Sequence, residues 1–476
     1  MNNLIDYEPQ DVPSNMEIRT ETINPINSSD STRTYKFEIT NVGYLDGNSM
    51  LTFKVKNNTA DNLRANCWNG GLGAIKRATF SIGDFMVSDF QELSRMATLL
   101  SMNVPPSTRN DFMGHFIGNC LHLDIAQDAN ALRNGNAGGT GSLIVTTDSG
   151  ANFGDTSANY NAAASLNRPI LADANLNDKF GIPLSYIIPA LAGGRKMPLF
   201  LFKDYRLHIE VEFYGARKWV NNFDRTGNHL GCGSDNDVSY SDVELLIDYI
   251  LPPAFVMNQD EAQSAKEGGY RFEFPNYVLI KKKLAAVPAA RELQESEHRL
   301  GLNGREVHHV YQFKNYTTFN NKKTVLTEQV IDGVNDEEYN LEVNGVKLFP
   351  DYKFNNASQY DEVSHCLGRP LFVPRGMYFS DDNSLKSELV GRDVGLQAVQ
   401  KPLCVDLSNG NPGVVGAGTI INNHPVVFQY RRRPCDAIAN KNYDQKAEMD
   451  VSYYASLSRF VNVTSTPMGS NVVVSY

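Results

Sequence analysis

The sequence predicts an all-β chain built as two tandem β-sandwiches, and three observations carry that prediction. Tyr205, Leu207, Ile209, Val211 and Phe213 alternate with Arg206, His208, Glu210 and Glu212, the period-two pattern of a strand with one buried and one polar face. Similar short apolar segments recur through both halves between Gly and Pro punctuation, and long helical periods are missing, which is how sandwiches read. The halves also echo each other. ATFSIGDFMV in the first and NLEVNGVKLF in the second are each strand, Gly and strand, and RLHIEVEF precedes VELLIDYI much as PVVFQYRRR precedes AEMDVSYY.

Taken in order, residues 1–30 are polar and rich in Pro, Asn and Ser, and read as an N-terminal arm without a core of its own. Thr34 to Thr40 is the first strand signal, with Tyr35, Phe37 and Ile39 on one face. An Asp46-Gly47 turn then leads, as in a hairpin, to the alternating Leu51, Phe53 and Val55. Ala74 to Asp89 holds two short strands around Gly83, and Asp89 stands where it could N-cap a helix over Phe90 to Met102, ended by Pro105 and Pro106. Residues about 126–180 are rich in Asn, Ala, Gly, Asp and Ser; only Ser142 to Thr147 looks like a strand. So long a stretch with so little core-forming material fits a loop projecting from a rigid scaffold.

Ile182 to Leu201 is an apolar run punctuated by Pro183, Pro189 and Pro198, and Val243 to Leu251 is an apolar strand stopped by Pro252 and Pro253. Met257 to Gly268 is polar and reads as a short connector with room for a helical turn. The second series of strands comprises Tyr277 to Lys281, Val307 to Phe313, Tyr339 to Val343 with Val346 to Phe349, Val426 to Tyr430, and Glu448 to Tyr454. The expected division is an arm at 1–30, a first sandwich at 31–253, a connector at 254–268 and a second sandwich at 269–476.

The bulk numbers agree. With 476 residues, each of two domains is large enough to bury a substantial core. The chain is 41% hydrophobic and 10% aromatic, a globular composition. Fifty-four acidic against 44 basic residues, net −10, argues against a surface dedicated to nucleic acid or acidic membrane and suits a chain that stays dispersed until it assembles. There is no 18-residue apolar run, and the first residues lack the pattern of a secretory signal. Cys67, Cys120, Cys232, Cys366, Cys404 and Cys435 form no C-x-x-C pair, which reads as reduced cysteines and not a disulfide framework or zinc site.

The order of motifs in the first half resembles a family. IKRATFSIGDFMVSDFQELSRM, then FMGHFIGN, a variable loop, IPLSYIIPALAGGRKMPLFLFKDYRLHIEVEF and LLIDYILPPAFVMNQDEA are similar to the first domain of double jelly-roll major capsid proteins of eukaryotic DNA viruses. Pro183-Leu184, Pro198-Leu199, Arg206 to Phe213 and Asp248-Tyr249-Ile250 carry the likeness, which covers about residues 35–265; the second half is similar in architecture. Members from giant algal and insect viruses have Phe-Trp-Phe after the first Pro-Leu, where this chain has Ser185 to Ile188. That departure points toward a virophage or polinton-like relative.

The resemblance implies two tandem eight-stranded jelly rolls with short helices and long surface loops. It implies a major capsid protein that self-assembles as homotrimers, pseudo-hexagonal capsomers that tile an icosahedral shell in the virion, assembled in the host cytoplasm or nucleus. The implied partners are neighbouring capsomers, penton and minor capsid proteins, and an internal membrane under the shell, without sequence-specific nucleic acid. Residues about 126–180 and Asn383 to Ile420 are the expected outward towers, and the arm is expected beneath.

Little in the sequence suggests chemistry. His308 and His309 are neighbours on a strand and alternate to opposite faces, so they read as ordinary strand histidines. His365-Cys366 needs a spatial contact that the sequence does not establish. No His-x-His occurs, which argues against a two-domain cupin enzyme. Gly138 to Ser142 is glycine-rich, but no Gly-Lys-Ser/Thr follows. Lys281 to Lys283 and Arg431 to Arg433 read as strand ends or subunit contacts, with anion contact as the rival. No catalytic, cofactor-binding or metal residue is expected, and no cofactor. A carbohydrate-binding β-sandwich of a viral fibre or adhesin is the alternative function, and a jelly-roll glycoside hydrolase, with paired carboxylates in one groove, ranks third.

Overall fold

A computed structural model of the chain describes residues 16–29, 33–59, 62–65, 70–101, 117, 179–223, 233–266, 269–286, 293–316, 337–352, 356–367, 403–408, 418–422, 424–432, 448–466 and 469–475. Among the described residues, sixteen strands build the frame of two sandwiches. The first contains β1 (Glu17–Ile23), β2 (Thr34–Ile39), β3 (Met50–Asn57), β4 (Ile75–Ile82), β5 (Phe85–Gln91), β6 (Lys179–Pro183), β7 (Leu207–Phe213) and β8 (Val238–Leu251). The second contains β9 (Tyr270–Leu284), β10 (Gln294–Leu300), β11 (Glu306–Tyr316), β12 (Glu337–Val343), β13 (Val346–Lys347), β14 (Leu403–Asp406), β15 (Val426–Arg432) and β16 (Met449–Thr466).

The two halves have one topology. In the first, the sheets run β1-β8-β3-β6 and β2-β7-β4-β5; in the second, β9-β16-β11-β14 and β10-β15-β12-β13. Numbered within each half, both are 1-8-3-6 facing 2-7-4-5, the double Greek key of a jelly roll. The likeness extends to the helices. Strand five is followed by α1 (Leu93–Ser101) in the first half and, through a longer connection, by an equivalent helix (Asn356–Leu367) in the second. The polar stretch Asp351 to His365 thus contains a helix. Further strands extend this frame, among them Tyr44–Asp46 beside β8 and Gly469–Ser475 beside β16.

Alternation in the sequence becomes alternation in burial. Leu207, Ile209, Val211 and Phe213 are buried on β7 while the residues between them are partly exposed, and Tyr35, Phe37 and Ile39 do the same on β2. Their sheet faces the β3 and β8 sheet across an aromatic centre. Phe53 stacks on Phe180 at 5.4 Å, Phe213 stacks on Tyr240 at 4.4 Å, and the buried Trp219 Nε1 donates to the Tyr240 hydroxyl at 2.9 Å. Each such ring contributes about 1.5–3 kcal/mol by leaving water. The second sandwich has its own interior, with Tyr339 stacked on Phe428 at 5.8 Å.

Five expectations need correction. Residues 17–23 do not belong to a coreless arm: β1 pairs along its whole length with the last strand of the first sandwich, Glu17 opposite Leu251 and Ile23 opposite Leu245. Asp46-Gly47 is not a hairpin turn. Tyr44–Asp46 and β3 both pair with β8, in one direction, so residues 47–49 interrupt a single strand line. Gly47 is needed there because a Cβ would stand 2.7 Å from the Leu191 carbonyl oxygen and 2.8 Å from that of Arg195. Asp89 caps no helix: it lies on β5, and its carboxylate takes two hydrogen bonds from Arg77, Nε at 2.6 Å and Nη2 at 2.9 Å, while α1 begins at Leu93. The connector is a full helix, α2 here (Ala254–Lys266); the helix Asn356–Leu367 is then α3. Lastly, the second expected tower contains β14, whose Leu403, Cys404 and Val405 are fully buried. Residues 126–178, with Ser142 to Thr147, and 383–402 lie outside the described residues. No helix among the described residues is long and apolar enough to cross a membrane.

Candidate functional site

The largest shared feature of the two sandwiches is the junction between them. On one side stands β5, the edge strand of the first sandwich, with the 3-10 turns Pro189–Gly194 and Leu199–Phe202 from the apolar run; on the other stand β9 and β16. Phe90 stacks on Tyr277 at 5.0 Å and Phe202 on Phe272 at 5.9 Å. The apolar cluster of the first sandwich continues without a break into Phe274, Tyr311, Phe313, Tyr454, Val461 and Val463 of the second, whereas the interior of the second sandwich is a separate cluster.

Directional bonds fix the register of the junction. The Tyr454 hydroxyl donates to the Glu92 carbonyl at 2.7 Å, Arg459 Nη2 to the Met86 carbonyl at 2.6 Å, and Arg195 Nη1 to the Glu273 carbonyl at 2.6 Å. Lys281 pairs with Glu92 at the exposed rim. Around α2, Lys203 Nζ reaches Glu261 at 2.6 Å and the Tyr44 hydroxyl donates to Asp260 at 2.6 Å. Glu273 is the strained member. Burial pushes its carboxyl from the ordinary 4.5 up to about 7, against the pull of Arg271 and Arg195, and its Oε1 is buried without a partner.

Set beside solved structures, the chain matches PBCV-1 VP54, as fitted into a cryo-EM reconstruction of the virophage Sputnik, with a TM-score of 0.57 at 10% identity over 97% of each chain. The structure of the Sputnik virophage determined by cryo-EM matches with a TM-score of 0.51 at 12% identity, over 96% of this chain and 88% of that one. The fold is a double jelly roll. The mavirus major capsid protein also matches, with a TM-score of 0.46 at 10% identity over 98% of this chain and 90% of that one. No protein-family sequence model matches the chain, and no curated protein does.

The double jelly roll places the sequence's candidate residues in structural contacts. His308 Nε2 and Ser458 Oγ share a hydrogen bond of 2.6 Å, and His309 Nε2 lies 3.5 Å from Asp406 Oδ1. Burial lowers the basicity of both imidazoles, most strongly for His309. Among the described residues no three His, Cys, Asp or Glu side chains gather in a way that could hold a metal ion. His365 and Cys366 do not form a couple. His365 faces Asp361 at 3.9 Å on the outside of α3, while Cys366 is buried near Cys404, which together with burial pushes its thiol well up. The basic runs meet partners within the chain: Lys283 bonds Glu448 at 2.7 Å, and Arg431 bonds Glu295 at 2.6 Å and lies 4.0 Å over the Tyr352 ring.

The junction residues themselves were not singled out from the sequence. One signal was available: Tyr277 to Ile280 is an unbroken apolar run, as expected of a strand covered on both faces.

Proposed function

We propose that this chain is a major capsid protein, a structural subunit that assembles as a homotrimer whose six jelly rolls form a pseudo-hexagonal tile of an icosahedral virion shell. The observation that carries the reading is the pair of jelly rolls of one topology, locked side by side by an apolar junction, in a fold that matches PBCV-1 VP54 and the Sputnik virophage along nearly its whole length. Three such subunits supply six similar sandwiches, and cyclic closure joins them head to tail. An obligate interface of this kind buries on the order of 2,000 Å² or more.

The reading needs no catalytic residue, cofactor or metal. Shell neighbours, penton and minor capsid proteins, and a membrane beneath the shell are partners it suggests, with assembly in the host cytoplasm or nucleus. Residues about 126–178 and 368–402 join equivalent strands, five to six, in the two halves. Segments inserted between equivalent strands of both halves support the reading of towers there.

Light scattering on the purified chain tests the proposal. Three chains of 52.9 kDa give about 160 kDa. A stable monomer at high protein concentration overturns the proposal, and saturable single-site binding on a glycan array by that monomer supports the adhesin instead.

A further inference from the structure

Cys366 and Cys404 are the two cysteines among the described residues, and both are buried and reduced. They meet because a helix and a strand run in register. Leu403 and Val405 of β14 turn into the interior of the second sandwich, so Cys404 between them faces the other side of the sheet, where α3 covers it. Val363, Cys366 and Leu367 recur at helical spacing and belong to the apolar cluster that holds Cys404.

The register is fixed at a second point. Glu362 Oε2 accepts from the Asp406 amide at 3.3 Å. From there, one turn along α3 to Cys366 covers about 6 Å, and two residues back along β14 to Cys404 cover about 6.6 Å. The near-equal steps put one cysteine over the other, and their thiols are in hydrogen-bond contact. Both backbones are held: the Tyr311 hydroxyl donates to the Cys366 carbonyl at 3.1 Å, and the Tyr339 hydroxyl to the Cys404 carbonyl at 2.9 Å. Tyr311 also stands opposite Cys404 in the ladder of β11 and β14, so one side chain spans both cysteines. Cross-linking groups already in contact demands little backbone movement.

The place of the pair gives such a bond a role. β14 is the sixth strand of its jelly roll and an edge strand, held by pairing Leu403–Asp406 with His309–Gln312; among the described residues no strand pairs with its other edge. A bond from Cys366 to Cys404 would tie this strand to α3 and close residues 367–403 into a covalent loop, which stabilises by restricting the unfolded chain.

We propose that Cys366 and Cys404 are a latent disulfide, kept as thiols in a reducing compartment and closed by a low-molecular-weight disulfide in an oxidising one. The thiolate of one cysteine attacks the S–S bond of the oxidant, its proton goes to solvent, and one small thiolate leaves. The second cysteine, its proton also lost, then attacks the mixed disulfide and expels the other small thiolate. The protein gives up two protons and two electrons, and the oxidant is reduced to two thiols. Burial sets the pace: with Cys366 5% and Cys404 0% exposed, reaction waits for α3 to lift. The inference does not depend on the capsomer reading.

The test uses the full chain and oxidised glutathione. The parent is incubated below its melting temperature, remaining thiols are alkylated after unfolding, and the peptides are mapped by mass. The expected product joins the Cys366 and Cys404 peptides, is two hydrogens lighter than their sum, and is separated by dithiothreitol. The oxidised parent should melt roughly 5–10 °C above the reduced one. Cys404→Ala should show no such rise although it retains the other five cysteines. Cys366 and Cys404 both alkylated, capped by glutathione, or joined to Cys67, Cys120, Cys232 or Cys435 overturns the pairing. A joined pair without the rise, or a rise that persists in Cys404→Ala, overturns the stabilising role. The peptide map of the parent needs no variant, so it decides the pairing even where Cys404→Ala folds poorly.

Discussion

Replacing Gly47 by Ala adds one methyl group at a point where the chain crosses the backbone of the 191–195 turn. The new carbon would lie 2.7 Å from the Leu191 carbonyl oxygen, 2.8 Å from that of Arg195 and 3.0 Å from the Gly194 carbonyl carbon, and none of these is a flexible side-chain end. Relief requires the chain to back away, stretching the 3.0 Å bond from the Gly47 amide to the Arg195 carbonyl and the 2.9 Å bond from the Ser185 amide to the Gly47 carbonyl. Overpacking of this kind costs about 1–3 kcal/mol, and a weakened buried hydrogen bond adds about 1 kcal/mol. The total of roughly 2–4 kcal/mol lowers the melting temperature by several degrees in a sandwich of this size. Both tryptophans, Trp68 and Trp219, lie in the first half of the chain, so urea denaturation followed by their fluorescence reports the affected sandwich. Gly47→Asn separates close approach from a left-handed turn. Asn tolerates a positive φ, so a turn accepts Asn better than Ala, whereas a backbone crossing rejects Asn at least as strongly. Asn restoring parental stability, or Ala costing under about 0.5 kcal/mol, refutes the crossing.

Phe90→Ala should cost about 3–5 kcal/mol, because it empties a fully buried ring site in the junction; the check is the urea midpoint together with amide exchange in β9, which should quicken. Glu273 should make stability pH-dependent in a definite sense. Its folded carboxyl titrates near 7 against an ordinary 4.5, so across that window the folded chain holds a proton that the unfolded chain releases. Stability then falls as pH rises from about 4.5 to about 7, by ~1–2 kcal/mol once partial solvent screening is allowed for. Glu273→Gln should remove that slope from melting temperatures taken across the window, and an unchanged slope rejects the assignment. Asp89→Ala should cost about 1 kcal/mol through the lost Arg77 pair while leaving the helical signal of circular dichroism intact; a loss of helix would restore Asp89 as a cap.

Strands with one buried and one solvated face were legible, because burial writes itself into the sequence with period two: β2, β3 and β7 were all readable. β1 was not. As an edge strand it buries almost nothing, and Glu17, Arg19 and Glu21 leave no apolar face to detect, although charge on an edge is how sheets discourage stray pairing. β14 failed for the opposite reason: Leu403, Cys404 and Val405 are buried in succession between the sandwich interior and α3, and four residues are too few to show any period. Asp46-Gly47 misled because glycine serves both turns and close approaches, and only the position of residues 191–195 distinguishes them. The junction was half legible. Its aromatic residues stand in the sequence, but nothing local says that Phe90 and Tyr277 meet across nearly two hundred residues.

The order 1-8-3-6 has a consequence for synthesis. In each jelly roll the first strand pairs with the last: Glu17 waits for Leu251, and Tyr270 waits for Val463. Neither sandwich can close until its eighth strand has left the ribosome, and Gly469–Ser475 adds to the second only after β16. Contacts so distant in sequence make folding slow, and an unfinished half exposes unpaired strand edges meanwhile. The first jelly roll can close while the second is still being made, and it then offers β5 as a ready surface on which β9 can settle. The nascent chain thereby carries its own template, and the second jelly roll closes only once β16 has been made.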